Sequence, residues 1–396
     1  MRKISIVSWF IIFFLLLILP HLIFADEVSE VWSKLYKQAK TVKQKYDIML
    51  NIVELDNRDM IPTLIEALEE LNMQDLYMDK KEKVVQNDLK ILVVRELGEL
   101  RASGASEKIF RVVREAEDPH LKEEALIALG KTGSKDYALN IALILRNLTL
   151  YRGDNIVSDE AIANGCIKAL ERLGEPVGYL PVFYATTAGF SRRVTEMAEK
   201  ALVNIVEDPS DILTALIMTE SCFEMKLHGL RAEYKSNASE LRKFEVATHA
   251  LNEGLINKPA DLDEEALLRE IRRLALEMII ELKDKNNKPI PLIEQVLYRY
   301  NDDSEKVYAI EALKSISTNE AVKSLISFLA YQNDRQASGV TAMDNRIIMA
   351  TIKALGSLES KVGYQELLRV KFSGYPAAVE READKALKSI DLESIE

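Results

Sequence analysis

The sequence predicts an all-α protein, and three observations lead to that prediction. Apolar residues recur with i, i+3, i+4 spacing along most of the chain, which is typical of amphipathic helices. Only 15 Gly and 10 Pro occur in 396 residues, which leaves few positions for the turns of a β protein. Residues 177–205 also match residues 362–390 without a gap, with ten identities in 29 positions. Such self-similarity marks repeat architectures, so we expect an α-solenoid of about eight or nine antiparallel helix pairs with an internal duplication.

The N-terminal segment has the layout of a secretory signal peptide. Met1-Arg2-Lys3 is basic, residues 9–19 are all apolar, and Ala25 precedes an acidic pair. The apolar run is shorter than the roughly 20 residues of a membrane-spanning helix. We therefore expect a signal peptide at residues 1–25 and an exported protein of the periplasm or cell envelope. An uncleaved anchor formed by residues 4–24 is the alternative.

The repeated unit is the motif Ala-x-x-Ala-Leu, whose apolar positions share one helix face. Two alanines beside a leucine permit close approach of a neighbouring helix and still bury an aliphatic side chain. Complete copies occupy residues 125–129, 198–202, 247–251, 309–313 and 383–387, and variants occupy 166–170 and 351–355.

Helix boundaries follow from the residues that flank the motif. Aspartates suited to N-caps precede it, namely Asp118, Asp159, Asp303 and Asp344. Glycines follow it where a helix is expected to end, namely Gly130, Gly133, Gly174 and Gly356. A second amphipathic helix comes after each stop, for example at residues 137–145, so the unit is an antiparallel helix pair.

The segment 125–134, Ala-Leu-Ile-Ala-Leu-Gly-Lys-Thr-Gly-Ser, followed by an apolar helix, resembles a HEAT repeat of the phycobilisome-lyase-like subtype. The resemblance covers roughly residues 45–390. It implies an interaction scaffold, because most members of that superfamily are scaffolds and a minority bind bilins or iron. No histidine here is followed by Glu, so the His-Glu dipeptides of HEAT-like iron hydroxylases are absent.

Extension of the duplication towards the N-terminus predicts the domain boundaries. Weaker matches at offsets of 184 and 185 define two super-repeats. We expect N-terminal helical repeats at 26–88, super-repeats at 89–205 and 274–390, an irregular helical connector at 206–273, and a C-terminal tail at 391–396.

Charge and reactive residues narrow the range of functions. The net charge of −11 repels nucleic acid and anionic lipid, so we expect no nucleic-acid partner and membrane contact only through an uncleaved N-terminal segment. Cys166 and Cys222 lie in apolar patterns and are expected to be buried free thiols. The sequence contains no phosphate loop, serine elbow or Cys/His nucleophile pattern. We therefore expect no enzymatic activity and no cofactor.

Two inserted loops, at residues 146–158 and 331–344, carry the candidate binding residues. Repeat insertions often lie on the binding face of a solenoid, and here each offers an aromatic residue beside a charge pair. The candidate partner-binding residues are Tyr151, Arg152, Asp154, Tyr331, Asp334 and Arg335. The alternative is that both loops only lengthen a turn.

These observations predict a non-catalytic, exported scaffold for protein–protein interaction in the cell envelope. Its two similar surfaces would hold one protein partner at two points. A ligand-binding or enzymatic HEAT protein, of bilin-lyase-like or metal-binding type, is one alternative. A membrane-anchored protein that organises the envelope is another.

Overall fold

The chain is all α-helical in the residues that its computed structural model describes, which are 28–73, 80–151, 155–300, 302–340 and 343–390. The predicted signal peptide and C-terminal tail lie outside these residues. The chain divides into two compact units, Met1–Val206 and Glu207–Glu396. The described residues form ten helix pairs, more than the eight or nine predicted, because the pair at 210–235 lacks the Ala-x-x-Ala-Leu motif.

The first unit contains five antiparallel helix pairs in two layers. The even-numbered helices pack successively on one another, and the odd-numbered helices form the second layer. A hydrogen bond between Thr63 and Ser33 joins the first and third helices. The helices are α1 (28–38), α2 (Val42–Glu54), α3 (Ile61–Met73), α4 (Lys80–Glu99), α5 (Ser106–Glu115), α6 (Pro119–Thr132), α7 (Ala138–Leu150), α8 (Ile156–Leu173), α9 (Tyr179–Ala185) and α10 (Arg192–Ile205).

The second unit repeats this arrangement. One layer consists of the even-numbered helices from α12 to α20 and the other of the odd-numbered helices from α11 to α19, each packing on the next of its layer. The helices are α11 (Ser210–Thr219), α12 (Phe223–Lys235), α13 (Glu240–Ile256), α14 (Leu262–Leu282), α15 (Ile290–Arg299), α16 (Asp303–Ile316), α17 (Asn319–Ala337), α18 (Asn345–Ser357), α19 (Tyr364–Arg369) and α20 (Ala377–Ser389).

The duplicated segments fold alike, as their identities predict. In each, a short 3₁₀ turn that ends at Gly178 or Gly363 leads into a short helix. Gly189 and Gly374 then adopt the left-handed backbone conformation, with φ of 73° and 82°. The next helices, α10 and α20, begin at equivalent positions, and four of the identical residues in this segment are buried in each copy. These are Val194, Ala198, Ala201 and Ile205 in one copy and Val379, Ala383, Ala386 and Ile390 in the other.

The Ala-x-x-Ala-Leu motif forms the contacts within the even-numbered layer, with the copy in α13 as the exception. Its first and fourth positions are buried in every copy and variant. Helices α4, α6 and α18 each have a glycine in their last turn. This glycine faces the fourth residue of the motif in the next even-numbered helix. A Cβ at Gly130 would lie 2.6 Å from the Ala169 Cα, and one at Gly356 would lie 2.8 Å from the Ala386 Cβ. The small residues therefore set how closely these helices approach.

This contact corrects one sequence prediction about helix ends. Gly133 and Gly174 do cap α6 and α8 in the left-handed conformation, as predicted. Gly130 and Gly356 lie inside helices instead, because the neighbouring helix leaves no room for a side chain there. A packing glycine and a capping glycine look the same in the sequence.

The N-caps are partly as predicted. The side chains of Asp118 and Asp344 accept hydrogen bonds from the first turns of α6 and α18. Asp302 rather than Asp303 caps α16, and Asn155 rather than Asp159 caps α8. In both cases another side chain that can accept a hydrogen bond precedes the predicted residue, and the helix begins there.

Candidate functional site

Three of the six predicted binding residues lie on a helix and not in a loop. Helix α17 continues to Ala337, so Tyr331, Asp334 and Arg335 occupy its last two turns. The segment contains no Gly or Pro that would end the helix earlier, and the buried Asn333 side chain holds it against α19. The predicted loop at 331–344 is therefore wrong for its first seven residues.

The aromatic part of this site is a row of rings shared by α15 and α17. The rings of Tyr298 and Tyr331 meet edge to face with centroids 5.7 Å apart, and Tyr298 meets buried Phe328 in the same way at 5.6 Å. The Arg335 guanidinium lies 5.7 Å from the Tyr331 ring, and its Nη1 donates to the Tyr331 hydroxyl at 3.2 Å. Tyr331 remains 46% exposed, so an ordered aromatic ring faces solvent.

A charged part adjoins these rings. The Arg369 guanidinium of α19 donates to the Asp334 carboxylate at 2.5 Å and to the Glu366 carboxylate at 3.0 Å. Hydrogen bonds to Asp334 and Glu366 raise the pKa of Arg369, so its positive charge persists. We use the name Tyr331 surface for Tyr298, Tyr331, Asp334, Arg335 and Arg369.

Two amide side chains beneath the Tyr331 surface hold it in place. The Asn333 amide nitrogen donates to the backbone carbonyl and the carboxylate of Glu366, at 3.1 and 3.2 Å. The Gln336 amide nitrogen donates to the carbonyl of Gly374 at 2.9 Å. These bonds join α17 to α19 and to the turn after it, so they restrain the helix end that carries the surface.

In the first unit the structure describes one of the three predicted residues. Tyr151 follows the last residue of α7, donates its backbone N–H to Asn147 and is 78% exposed. Arg152 and Asp154 lie outside the described residues. The predicted loop at 146–158 is shorter than expected, because α7 extends to Leu150 and α8 begins at Ile156.

Sequence reasoning missed Tyr298 and Arg369. Tyr298 comes directly after Leu297, the last buried apolar residue of α15, and no motif around it indicates a binding residue. Arg369 is 35 residues from its partner Asp334, a pairing that only the packing of α17 on α19 creates.

A buried ionic cluster in the second unit was also missed. Arg272 of α14 is almost fully buried, donates to the Glu305 carboxylate at 2.8 Å and to the Gly254 carbonyl at 2.9 Å, and stacks 4.2 Å from the Tyr300 ring centroid. Nearby, Lys226 and Glu253 form a second buried pair at 2.5 Å. Because each charge has its partner within the protein, we interpret the cluster as part of the core.

The cysteines and histidines show no assembled reactive group. Cys166 is buried, as predicted, and burial raises the pKa of its thiol. Cys222 is exposed, contrary to the prediction, because it lies just before α12 and outside its apolar face. In the part of the chain that the structure describes, no three His, Cys, Asp or Glu side chains are grouped to hold a metal ion. None of the helices described there has the length and apolar character needed to cross a membrane.

Comparison with known proteins adds little to these observations. No family model and no curated protein matches the chain. Among solved structures, a chain of the UNC-45 chaperone, from work on features critical for binding and folding muscle myosin, is 11% identical with a TM-score of 0.23. That similarity covers 93% of this chain and 57% of the chaperone chain. A chain from the computational design of self-assembling cyclic homooligomers is 14% identical with a TM-score of 0.13, covering 87% of this chain and 98% of the other. At these TM-scores neither similarity bears on function.

Proposed function

We propose that the protein is a non-catalytic, HEAT-like interaction scaffold that is exported to the cell envelope and binds a protein partner through the Tyr331 surface. The observation that carries this proposal is the ordered group of exposed tyrosine and arginine side chains on α15, α17 and α19. Tyrosine and arginine are the residue types that most often dominate the energy of protein interfaces.

The packing around the Tyr331 surface supports the proposal, because it lowers the entropic cost of binding. The Tyr331 ring is held between Tyr298 and Arg335, and Asn333 holds the helix beneath it. Side chains that are already ordered lose little conformational freedom when a partner binds. The Asp334–Arg369 pair at the edge offers both charge signs, which favours one orientation of the partner.

Export is the second part of the proposal and rests on the sequence of residues 1–25. The mass of the protein isolated from its host tests it. Removal of the first 25 residues is the expected result. A protein that retains them and fractionates with membranes would support the anchored alternative.

Affinity capture from the native host tests the binding surface. We expect the double variant Tyr331→Ala/Arg335→Ala to recover at least about tenfold less partner than the wild type, as typical hot-spot losses imply. The matched control is Lys353→Ala, an exposed position on α18 in the same unit. Thermal unfolding of each variant shows whether the fold is intact.

Two results would contradict the proposal. Equal recovery of the partner by the double variant and the wild type would remove the Tyr331 surface from it. Failure to capture any partner, together with turnover of a small substrate by the pure protein, would favour the enzymatic alternative.

A further inference from the structure

Helix α7 in the first unit has an apolar face that no described residue covers. Its buried side consists of Ala138, Ile141, Ala142 and Leu145. On the opposite side, Leu139, Leu143 and Leu150 are 54%, 46% and 61% exposed. A helix that is apolar on two sides is unusual at a protein surface and marks a site of interaction.

The exposed residues of α7 follow the spacing of a helix-pairing seam. A 3₁₀ turn, Lys135–Tyr137, leads directly into α7, so Asp136 lies one turn before Leu139. Asp136, Leu139, Leu143, Arg146 and Leu150 are spaced by three, four, three and four residues. This 3-4 spacing keeps one stripe of a helix against a partner helix.

Opposite charges flank Leu139 and Leu143, the two central leucines of the stripe. Asp136 and Arg146 are both exposed, and neither forms an ion pair with another described residue. The order from the N-terminal end is therefore acidic, apolar, basic. A helix with this order is complementary to a copy of itself that runs in the opposite direction.

The register of such a pair follows from the residue numbers. If two copies of α7 pack antiparallel about the level of Ile141, Leu139 of each copy lies opposite Leu143 of the other. In the same register Asp136 of each copy lies opposite Arg146 of the other. A single register thus matches both leucine pairs and both ion pairs.

We propose that the α7 face is the contact surface of a symmetric homodimer in which two copies of the chain pair antiparallel through this stripe. Helix α5 of the same layer has the same order of charges, with exposed Glu107 at its start, half-buried Phe110 in the middle and exposed Arg114 near its end. Arg114 lies over the Phe110 ring at 5.7 Å and forms no ion pair among the described residues. Helix α5 is therefore also complementary to α5 of a second copy that runs in the opposite direction.

The size of the contact sets the expected affinity. Each copy contributes the same patch, so the contact closes on itself and forms a dimer, not a filament. One pair of helices buries less than the roughly 1,000 Å² of a stable interface. We therefore expect a dimer that dissociates on dilution through the micromolar range.

Exchange of the two charges tests the proposal most sharply. Sedimentation velocity of the purified chain, as its host processes it, should show a concentration-dependent dimer. Asp136→Arg and Arg146→Asp should each weaken the dimer by at least about tenfold, because each places two like charges opposite one another. The double variant Asp136→Arg/Arg146→Asp should restore the wild-type dissociation constant within about threefold. Association through any other segment would not respond to this exchange.

A matched pair of variants separates loss of the dimer contact from loss of folding stability. Leu143→Glu should abolish the dimer and leave thermal unfolding of the monomer unchanged, since Leu143 is exposed. Lys168→Glu, at a position on α8 that lies outside the stripe, should leave the dimer intact.

Several results would overturn the proposal. A wild-type chain that stays monomeric at several hundred micromolar would do so, as would a dimer that the two single charge reversals do not weaken. A monomeric wild type whose Leu143→Glu variant loses a protein recovered from the host would assign the face to a different partner. The sedimentation measurements use the purified chain alone, so their outcome is independent of the Tyr331 surface.

Discussion

Replacement of Gly130 by alanine tests whether close approach of α6 and α8 is built into the fold. A methyl group at Gly130 would lie 2.6 Å from the Ala169 Cα and 3.1 Å from both its Cβ and its carbonyl oxygen. Carbon atoms that are not bonded to one another pack at about 3.5–4.0 Å. Because the nearest atom belongs to the backbone of a buried helix, the two helices must move apart.

Two effects of opposite sign determine the magnitude. Alanine stabilises the interior of a helix by up to about 1 kcal/mol relative to glycine. Overpacking of a well-packed core costs about 1–3 kcal/mol. Because the nearest atom is a backbone atom that cannot rotate away, we take the upper part of that range. The expected net decrease in the free energy of unfolding is about 1–2 kcal/mol.

Urea unfolding monitored by circular dichroism measures the loss, and hydrogen exchange locates it. We expect a lower unfolding midpoint for Gly130→Ala and faster exchange of the α6 and α8 amides, because repeat stacks lose stability locally. The control is Gly104→Ala, where a methyl group meets no atom within 4 Å and the expected change is within about 0.5 kcal/mol. A Gly130→Ala protein as stable as the wild type would refute the reasoning.

Three further predictions concern the core of each unit. Leu313→Asp buries an unpaired carboxylate and should lower the free energy of unfolding in urea by at least about 3 kcal/mol. The control Lys323→Asp, on the exposed side of α17, should lower it little. Equal effects would show that Leu313 is not a core residue. Burial and two nearby carboxylates raise the pKa of Glu96 from 4.5 to about 7. Between these two pH values the folded chain retains a proton that the unfolded chain releases. The free energy of unfolding therefore falls as the pH rises from 4.5 to about 7. Glu96→Gln should remove that fall, which is at most about 3 kcal/mol, and parallel pH profiles of the variant and the wild type would contradict it. Deletion of residues 376–396 removes α20, which covers the buried face of α18. We expect light scattering to show aggregation of the shortened protein at low concentration. A soluble monomer would show that α20 is not needed to cover α18.

The fold class could be predicted because it depends on local patterns. The i, i+3, i+4 spacing, the Asp118 cap and the duplication all act within one or two helices, so their signal is present in a short stretch of sequence. The burial of the Ala-x-x-Ala-Leu motif followed from the same spacing. The role of Gly130 did not, because it depends on Ala169 of another helix.

The site was less predictable for the same reason. Aromatic and charged residues near 331 were a useful signal, and Tyr331 is exposed as expected. The end of α17 was misjudged, because contacts with α19 extend the helix past the point where its apolar pattern fades. Arg369 joins the site from 35 residues away, and Arg272 reaches its buried partner from 33 residues away. No short stretch of sequence contains either pair.

The most direct test of the proposed scaffold function is site-specific photo-crosslinking in the native host. A photoreactive phenylalanine replaces Tyr331 in one protein and Lys353 in another, two exposed positions on different layers of the second unit. We predict a discrete crosslinked protein partner from position 331 and none from position 353. Equal crosslinking from both positions, or crosslinking from position 353 alone, would contradict the assignment of partner binding to the Tyr331 surface.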